Sequence, residues 1–344
     1  MKPVLKLMRP GLLNLKPYSA QSYAPGKIYL NSNENPYPLK NAAGLNRYPP
    51  ARPQNLTAAA AKFYKVKPEN LLLTAGSDQG IDTLIRAFCA EGKDCVLVTA
   101  PGFVMYETYA KIQGAGIYYA PLQNGLLDAA AVINTIKTKK PKIFFLPNPC
   151  APLGVMFQET DVLKIIKAAA GKTIVAVDEA YLEFSKTPSF TRFLHKYQNL
   201  VILRTFSKAF ALAGGRLGAV IADKDIINVL GAVLPPYPVC AGVFDAAYNL
   251  LTDKTILKAA RENIDLLISE REALIKNLRS VKAVKYVYPG KTNFVFIRTA
   301  DDKKIFAALA KNKIIVRYFE GYGLRVSVST PEENAAVLRA LGKI

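Results

Sequence analysis

From about residue 55 to residue 230 the chain repeats one rhythm, a short apolar run followed by a longer helical pattern. The runs are Leu71–Thr74, Cys95–Val98, Gly116–Tyr119, Lys142–Leu146, Thr173–Val177, Leu200–Leu203 and Gly218–Ile221. Strands separated by helices return in the same direction, so the rhythm predicts an α/β domain with a mostly parallel, seven-stranded sheet. The runs do not alternate polar with apolar residues, which predicts helices on both faces. After Pro235-Pro-Tyr-Pro238 the rhythm changes. A long helical pattern from about Ala241 to Ser280 leads into the runs Ala283–Val287, Asn293–Ile297, Ile314–Val316 and Leu324–Val328, which predict a smaller α+β domain. The first residues, rich in Pro, Asn and Tyr, read as an arm. The expected division is 1–36, an arm packing on the small domain and a partner; 37–237, the large domain; and 238–344, the small C-terminal domain.

The chain has 344 residues, 51% of them apolar, enough for two cores, and a formal net charge of +20. Its lysines are scattered through amphipathic segments such as Asp161–Lys172, so the charge reads as a solvated basic face that also attracts small anions. No zinc-finger, RNP or glycine-clamp pattern accompanies it, which argues against nucleic acid. Cys89, Cys95, Cys150 and Cys240 form neither a CxxC pair nor a dense disulfide framework, and no run approaches the length of a membrane span. A soluble, cytoplasmic protein is expected. The single histidine, His195, lies in a polar stretch and reads as a surface residue, so no metal site is expected. No GxGxxG follows a strand, and neither GxxxxGK[ST] nor HExxH occurs.

In open α/β sheets ligands collect at the carboxyl ends of strands. After Leu71–Thr74 comes Ala75-Gly-Ser77-Asp78-Gln79-Gly80, opening a helix whose free N–H groups suit a phosphate; ordinary capping by Ser77 or Asp78 is the plainer reading. Asp178 ends another run, with Tyr181 three positions on. It suits a protonated ring nitrogen, or else a structural ion pair with an arginine. Lys208 follows a third run among Ser207, Ala209 and Gly214-Gly215, with Arg216 eight positions on. An enclosed amine near cations loses its proton easily and can form an imine with an aldehyde. Arg325 lies inside an apolar strand pattern, where a guanidinium is costly without a partner; a clamp on a substrate carboxylate or an ion pair with a local glutamate would supply one. Together Lys208, Asp178 and Tyr181 suggest a pyridoxal phosphate site.

These residues resemble the fold-type-I aminotransferases, most closely the histidinol-phosphate aminotransferase branch. The likeness runs almost the full length, through Leu15-Lys-Pro-Tyr18, Asn31-Ser-Asn33-Glu-Asn-Pro36, Asn46-Arg-Tyr48-Pro49, Gly76-Ser-Asp-Gln-Gly-Ile-Asp82, Val177-Asp-Glu-Ala-Tyr181, Phe206-Ser-Lys-Ala-Phe210, Lys291-Thr-Asn-Phe-Val-Phe296 and Gly323-Leu-Arg-Val-Ser327. The resemblance implies that Lys208 carries pyridoxal 5'-phosphate as an internal aldimine, that Asp178 pairs with the ring nitrogen and that Tyr181 bonds the ring hydroxyl. It implies that Phe103 stacks on the ring and that Ser77, Asp78, Gln79, Thr205, Ser207 and Arg216 surround the phosphate. Tyr48 would reach that phosphate from the other subunit of a homodimer with shared sites. Tyr18, Asn33, Arg317 and Arg325 match substrate-side positions, and Tyr18, Tyr106 and Phe103 would suit an imidazole.

Two departures stand out. The family's Asn-Pro-Thr-Gly turn appears as Asn148-Pro-Cys150-Ala151-Pro152-Leu-Gly154, and Ala151 cannot bond the ring hydroxyl as the asparagine does. Tyr181 then acts alone, a group such as Asn148 substitutes, or the cofactor's electronics differ. The stretch Arg317–Arg325 is short for the family. The resemblance implies transamination between histidinol phosphate and 2-oxoglutarate. Aromatic amino acids are an alternative donor and threonine-phosphate decarboxylation an alternative reaction. A nucleic-acid-binding or regulatory protein on the same fold is the non-enzyme alternative.

Overall fold

The computed structural model describes residues 3–17, 26–41 and 44–342. The large sheet contains β1 (Leu71–Thr74), β2 (Cys95–Ala100), β3 (Gly116–Gln123), β4 (Leu126–Leu127), β5 (Ile143–Pro147), β6 (Ile174–Asp178), β7 (Leu200–Thr205) and β8 (Gly218–Ala222). Their order is β1-β8-β7-β6-β5-β2-β3-β4. Strands β3, β2, β5, β6 and β7 pair in parallel, and β8 runs antiparallel to both β7 and β1.

The sheet thus has eight strands where seven are expected. The extra one is a two-residue hairpin arm at the edge: Asn124 and Gly125, both at positive φ, turn Gln123 back onto Leu126. Asn-Gly is the dipeptide best suited to such a turn, but two leucines are too short a run to read as a strand.

Side chains alternate between two cores. Phe144, Val175, Val177 and Ile202 face one side, against the helices Gln54–Tyr64 and Glu159–Ala168. Phe145, Ala176, Val201 and Val220 face the other, against Gly76–Phe88 and Lys224–Val233. Both faces are therefore dry, as continuous apolar runs require. Each fully buried Phe or Ile stabilises the fold by roughly 1.5–3 kcal/mol. The chain's start also packs here: Val4 and Leu7 join the second core, and the Arg9 N–H donates to the Ala87 carbonyl at 3.0 Å. The described beginning of the arm thus lies on the large sheet's helices and not on the small domain.

The long helical pattern beyond residue 240 is two helices, Ala241–Thr252 and Lys254–Leu278. Asp253 separates them, leaving the helical conformation to accept hydrogen bonds from the Thr255 and Ile256 N–H groups. The first helix and the start of the second pack on the large core, whereas Leu274, Ile275 and Leu278 belong to a third core. That core underlies an antiparallel sheet of β9 (Val284–Val287), β10 (Phe294–Thr299), β11 (Arg317–Phe319) and β12 (Gly323–Ser327), in the order β11-β12-β10-β9. The run Ile314–Val316 precedes β11 and is not itself a strand. Arg271 ties the two halves: its buried guanidinium donates to the Phe184 and Thr292 carbonyls, both at 3.0 Å.

Candidate active site

Parallel pairing aligns the carboxyl ends of β5, β6 and β7, since Pro147 stands opposite Asp178 and Asp178 opposite Leu203. The loops beyond those ends, with the helix start at Gly76, enclose a cavity of about 590 Å³ counting its open mouth. Lys208 and Asp178 line the same cavity, together with Ser77, Asp78, Phe103, Tyr181, Thr205, Ser207 and Arg216. Most of the residues singled out along the sequence, distributed over 140 positions, therefore meet in one place.

Asp178 lies on the cavity floor, 6% exposed. Its carboxylate accepts from the Tyr106 hydroxyl at 2.7 Å and from the Ala180 N–H at 3.0 Å. Burial raises its pKa to about 6, against the downward pull of these two donors. The structural ion pair that was the alternative for Asp178 forms instead at the next residue. Arg204 donates to Glu179 at 2.8 Å and also bonds Glu183, while Glu179 accepts further from Ser189 and the Phe190 N–H. Among the described residues no cation lies within ion-pair distance of Asp178. A buried carboxylate without a cation is costly, and a cationic ligand group entering the cavity would relieve that cost.

At the opposite end, the helix Gly76–Phe88 starts at the cavity, with Ser77 and Asp78 of its first turn lining the wall together with Arg216. The approach is close enough to require glycine. A Cβ on Gly76 would lie 2.6 Å from the Arg216 Nη2, and one on Gly218 would lie 2.4 Å from the Gly76 carbonyl carbon. Neither Ser77 nor Asp78 caps this helix. The Gln79 side chain turns back to accept from the Ala75 N–H at 2.7 Å and stays off the cavity wall. Arg216 reaches the Ser207 Oγ at 3.3 Å and Asp78 at 3.4 Å. Partly exposed and long, the contact with Asp78 is worth at most about 1 kcal/mol, little for an incoming anion to displace. Free N–H groups, a guanidinium and hydroxyls around a glycine cradle fit a phosphate.

Lys208 lies between the two ends, its amine 5.9 Å from the Tyr181 ring centre. Lys208 is exposed and not enclosed as expected, yet desolvation by the surrounding protein and then the positive charges of Arg325 and Arg216 lower its pKa, with Asp78 and Asp178 opposing. A lowered pKa exposes the lone pair that nucleophilic attack needs. Desolvation raises the Tyr181 hydroxyl's pKa, Arg325 pulling the other way, and Phe294 packs edge-on against the Tyr181 ring at 5.2 Å. Phe103 forms an aromatic wall, set edge-on to Tyr106 at 5.5 Å.

Neither Arg325 nor Arg317, both on the small sheet, lines the cavity itself, but the Arg325 charge acts on Lys208 and Tyr181; its guanidinium lies over the Phe294 and Phe319 rings at 5.2 and 5.6 Å and pairs with no carboxylate among the described residues. Arg317 stands directly opposite it across β11 and β12. Like charges facing one another in a ladder repel, and an anion between or above them reverses the sign of that interaction.

Several expectations fall elsewhere. Ala151 lines the cavity, but Asn148 does not: its side-chain oxygen accepts from the Phe157 N–H at 2.9 Å, and its buried Nδ2 has no partner. Tyr106 does border the cavity, but it is fully buried, its ring stacked on Phe145 at 4.8 Å and its hydroxyl taken by Asp178. Asn33, exposed and at positive φ, and Tyr48, stacked on Tyr237 at 4.6 Å, are away from the cavity of their own chain. Tyr18 lies outside the described residues. His195 is exposed, as its polar surroundings predict.

A lysine of lowered pKa, a buried carboxylate and a glycine-lined arginine share one cavity at the strand ends of an α/β sheet, the arrangement expected of the aminotransferase class. The chain belongs to the family described as aminotransferase class I and II, whose match covers residues 25–341, and within it to the histidinol-phosphate aminotransferase branch. The histidinol-phosphate aminotransferase of Stenotrophomonas maltophilia (strain R551-3) is 38% identical over 351 residues, covering 98% of this chain and 96% of the relative. The solved histidinol-phosphate aminotransferase of Clostridium acetobutylicum superposes with a TM-score of 0.79 at 26% identity, covering 87% of this chain and 90% of that one. An L-threonine-O-3-phosphate decarboxylase from Porphyromonas gingivalis, with a TM-score of 0.74 over 87% of this chain and 90% of its own, is 22% identical and shares the fold. The protein is a pyridoxal-phosphate-dependent aminotransferase of fold type I.

Proposed function

We propose that this aminotransferase moves the amino group of histidinol phosphate to 2-oxoglutarate, with pyridoxal phosphate held on Lys208. The observation that carries the reading is the convergence of Lys208, Asp178 and the Gly76–Arg216 cradle on one cavity. The cofactor, when bound, withdraws electrons from the bond broken at the substrate's α-carbon.

The chain's own residues then have separable tasks. Asp178 neutralises a protonated ring nitrogen, Phe103 packs on the ring, and Tyr181 donates to the ring hydroxyl without help from Ala151. Ser77, Asp78 and Gln79 through the helix start, with Thr205, Ser207 and Arg216, hold the phosphate. Lys208 carries a proton to and from the substrate once its amine is released. Arg325 and Arg317 bind the anionic end of donor and acceptor in turn, and Asn33 and Tyr18 complete the substrate side.

The working unit we propose is a homodimer in which Tyr48 enters the partner's phosphate site. Ile28, Leu30, Tyr37 and Leu39 are each at least 76% exposed on one chain, and Tyr48 is 58% exposed, an apolar surface that a second copy would cover. The division into an arm of 1–36, a large domain of 37–237 and a small domain of 238–344 is part of the same proposal, with the helix Ala241–Thr252 as the joint. So is a cytoplasmic setting, in keeping with four free cysteines. No helix among the described residues is long and apolar enough to cross a membrane.

Borohydride treatment of the purified, cofactor-loaded protein should fix a pyridoxyl group on the peptide containing Lys208, and Lys208→Ala should abolish the label. A donor panel scored by glutamate formation from 2-oxoglutarate should rank histidinol phosphate first. Leading turnover of an aromatic amino acid, or carbon dioxide release from threonine phosphate, would overturn the substrate assignment.

A further inference from the structure

We propose that Tyr106 is a positioning residue of this site, whose hydroxyl fixes the plane of the Asp178 carboxylate and so aims its free lone pairs at the cofactor's ring nitrogen. The inference rests on the reading of Asp178 given above and adds a residue that neither motif nor spacing assigns.

The geometry carries it. Tyr106 comes from the helix Val104–Ile112, 72 positions from Asp178, and is 0% exposed, yet its hydroxyl reaches the carboxylate at 2.7 Å. Its ring is held from both sides, stacked on Phe145 at 4.8 Å and 7° and set edge-on to Phe103. The hydroxyl therefore has little freedom to follow a moving carboxylate; the carboxylate must come to it. Asp178 has two oxygens. One takes the Tyr106 hydroxyl and the other the Ala180 N–H, and two donors on different oxygens leave the carboxylate no rotation about its last bond.

The pair also has a chemical logic. No side-chain cation neutralises Asp178 among the described residues, so the carboxylate's charge is shared with neutral donors until a ligand supplies a positive one. A phenol gives part of that stabilisation without competing for the ring nitrogen, as an arginine or lysine would. Tyr106 itself stays protonated, since burial and then the Asp178 charge raise its pKa well above the ordinary value. It donates and does not exchange protons with the substrate.

The test is a double-mutant cycle on the pyridoxal phosphate dissociation constant of the full-length protein, using Tyr106→Phe, Asp178→Asn and both together. Tyr106→Phe keeps the stacked ring and removes one hydrogen bond to a charged group, so the constant should rise about tenfold or more. In the Asp178→Asn background the same change should cost less than about twofold, because its effect passes through the carboxylate. Full additivity would overturn the proposal and leave Tyr106 a packing residue, as would a Tyr106→Phe constant equal to that of the unaltered protein. The absorbance band of the loaded enzyme provides a second readout. Its pH midpoint should shift in Tyr106→Phe and be unmoved by that change when residue 178 is asparagine. Failure of the unaltered protein to take up a borohydride-reducible cofactor is a different outcome, one that overturns the function proposed above and this inference with it.

Discussion

Arg204 bonds Glu179 at 2.8 Å and leaves its neighbour Asp178 without a cation among the described residues. Successive residues at a strand end project to opposite sides. The structural ion pair thus faces the core beneath the site, while the carboxylate on the other side is kept for the cavity.

Asp178 makes the cofactor-free protein sensitive to pH. Its pKa is raised from 3.8 to about 6 on folding, so between those values the folded chain binds more protons than the unfolded one. Its contribution to stability is present below pH 4 and is lost as pH rises through about 6. Asp178→Asn should remove that loss and stabilise the cofactor-free protein at pH 7 by up to about 3 kcal/mol, since each pKa unit corresponds to about 1.4 kcal/mol. Urea unfolding from pH 4 to pH 8 checks the sign. Equal slopes for the two proteins would contradict it.

Glu179 should behave oppositely. Removing one member of a buried pair leaves the other uncompensated, so Glu179→Ala should destabilise the fold by about 3 kcal/mol, with Glu183 limiting the damage. Thermal unfolding measured with and without the cofactor separates this loss from any effect on binding, since the predicted deficit is the same in both.

Gly76→Ala should act on the phosphate end alone. It forces an alanine to a φ of 74° and pushes Arg216 aside. The left-handed backbone costs about 1–2 kcal/mol, and displacing the guanidinium should weaken cofactor binding about tenfold, the loss of one charge-assisted contact. Competition by inorganic phosphate, measured by calorimetry, should weaken in parallel. An unchanged phosphate constant would remove Arg216 from the cradle.

Arg325→Lys keeps the charge but loses the planar fork between two phenyl rings. The KM for the amino donor should rise about tenfold, the worth of a bidentate contact, while cofactor affinity stays unchanged. Steady-state kinetics beside a cofactor titration reads both.

Much of this organisation is legible in the sequence, because it depends on local order. Short apolar runs mark seven of the eight strands, and polar residues just beyond them mark the cavity wall. What escapes is set by contacts between distant segments. Nothing near Tyr106 announces that its hydroxyl meets Asp178 across the sheet, and nothing near Arg204 says that Glu179 will claim it. Gln79 shares a motif with Ser77 and Asp78, yet the amide folds back on its own helix. The break at Asp253 has a signal, a capping residue before Thr255, which is easily lost inside a long amphipathic pattern. Tyr48 and Asn33 belong to a stretch whose apolar residues stay exposed among the described residues, and no pattern or spacing within that stretch says what they meet.

Arg271 grips the Phe184 carbonyl on one side and the Thr292 carbonyl on the other. Phe184 is three residues beyond Tyr181, and Thr292 two before the ring that packs against it. This guanidinium therefore fastens the backbone beyond Tyr181 to the backbone that carries Phe294, so the two rings that meet edge-on at the cavity are tied together through main chain as well as through their own contact.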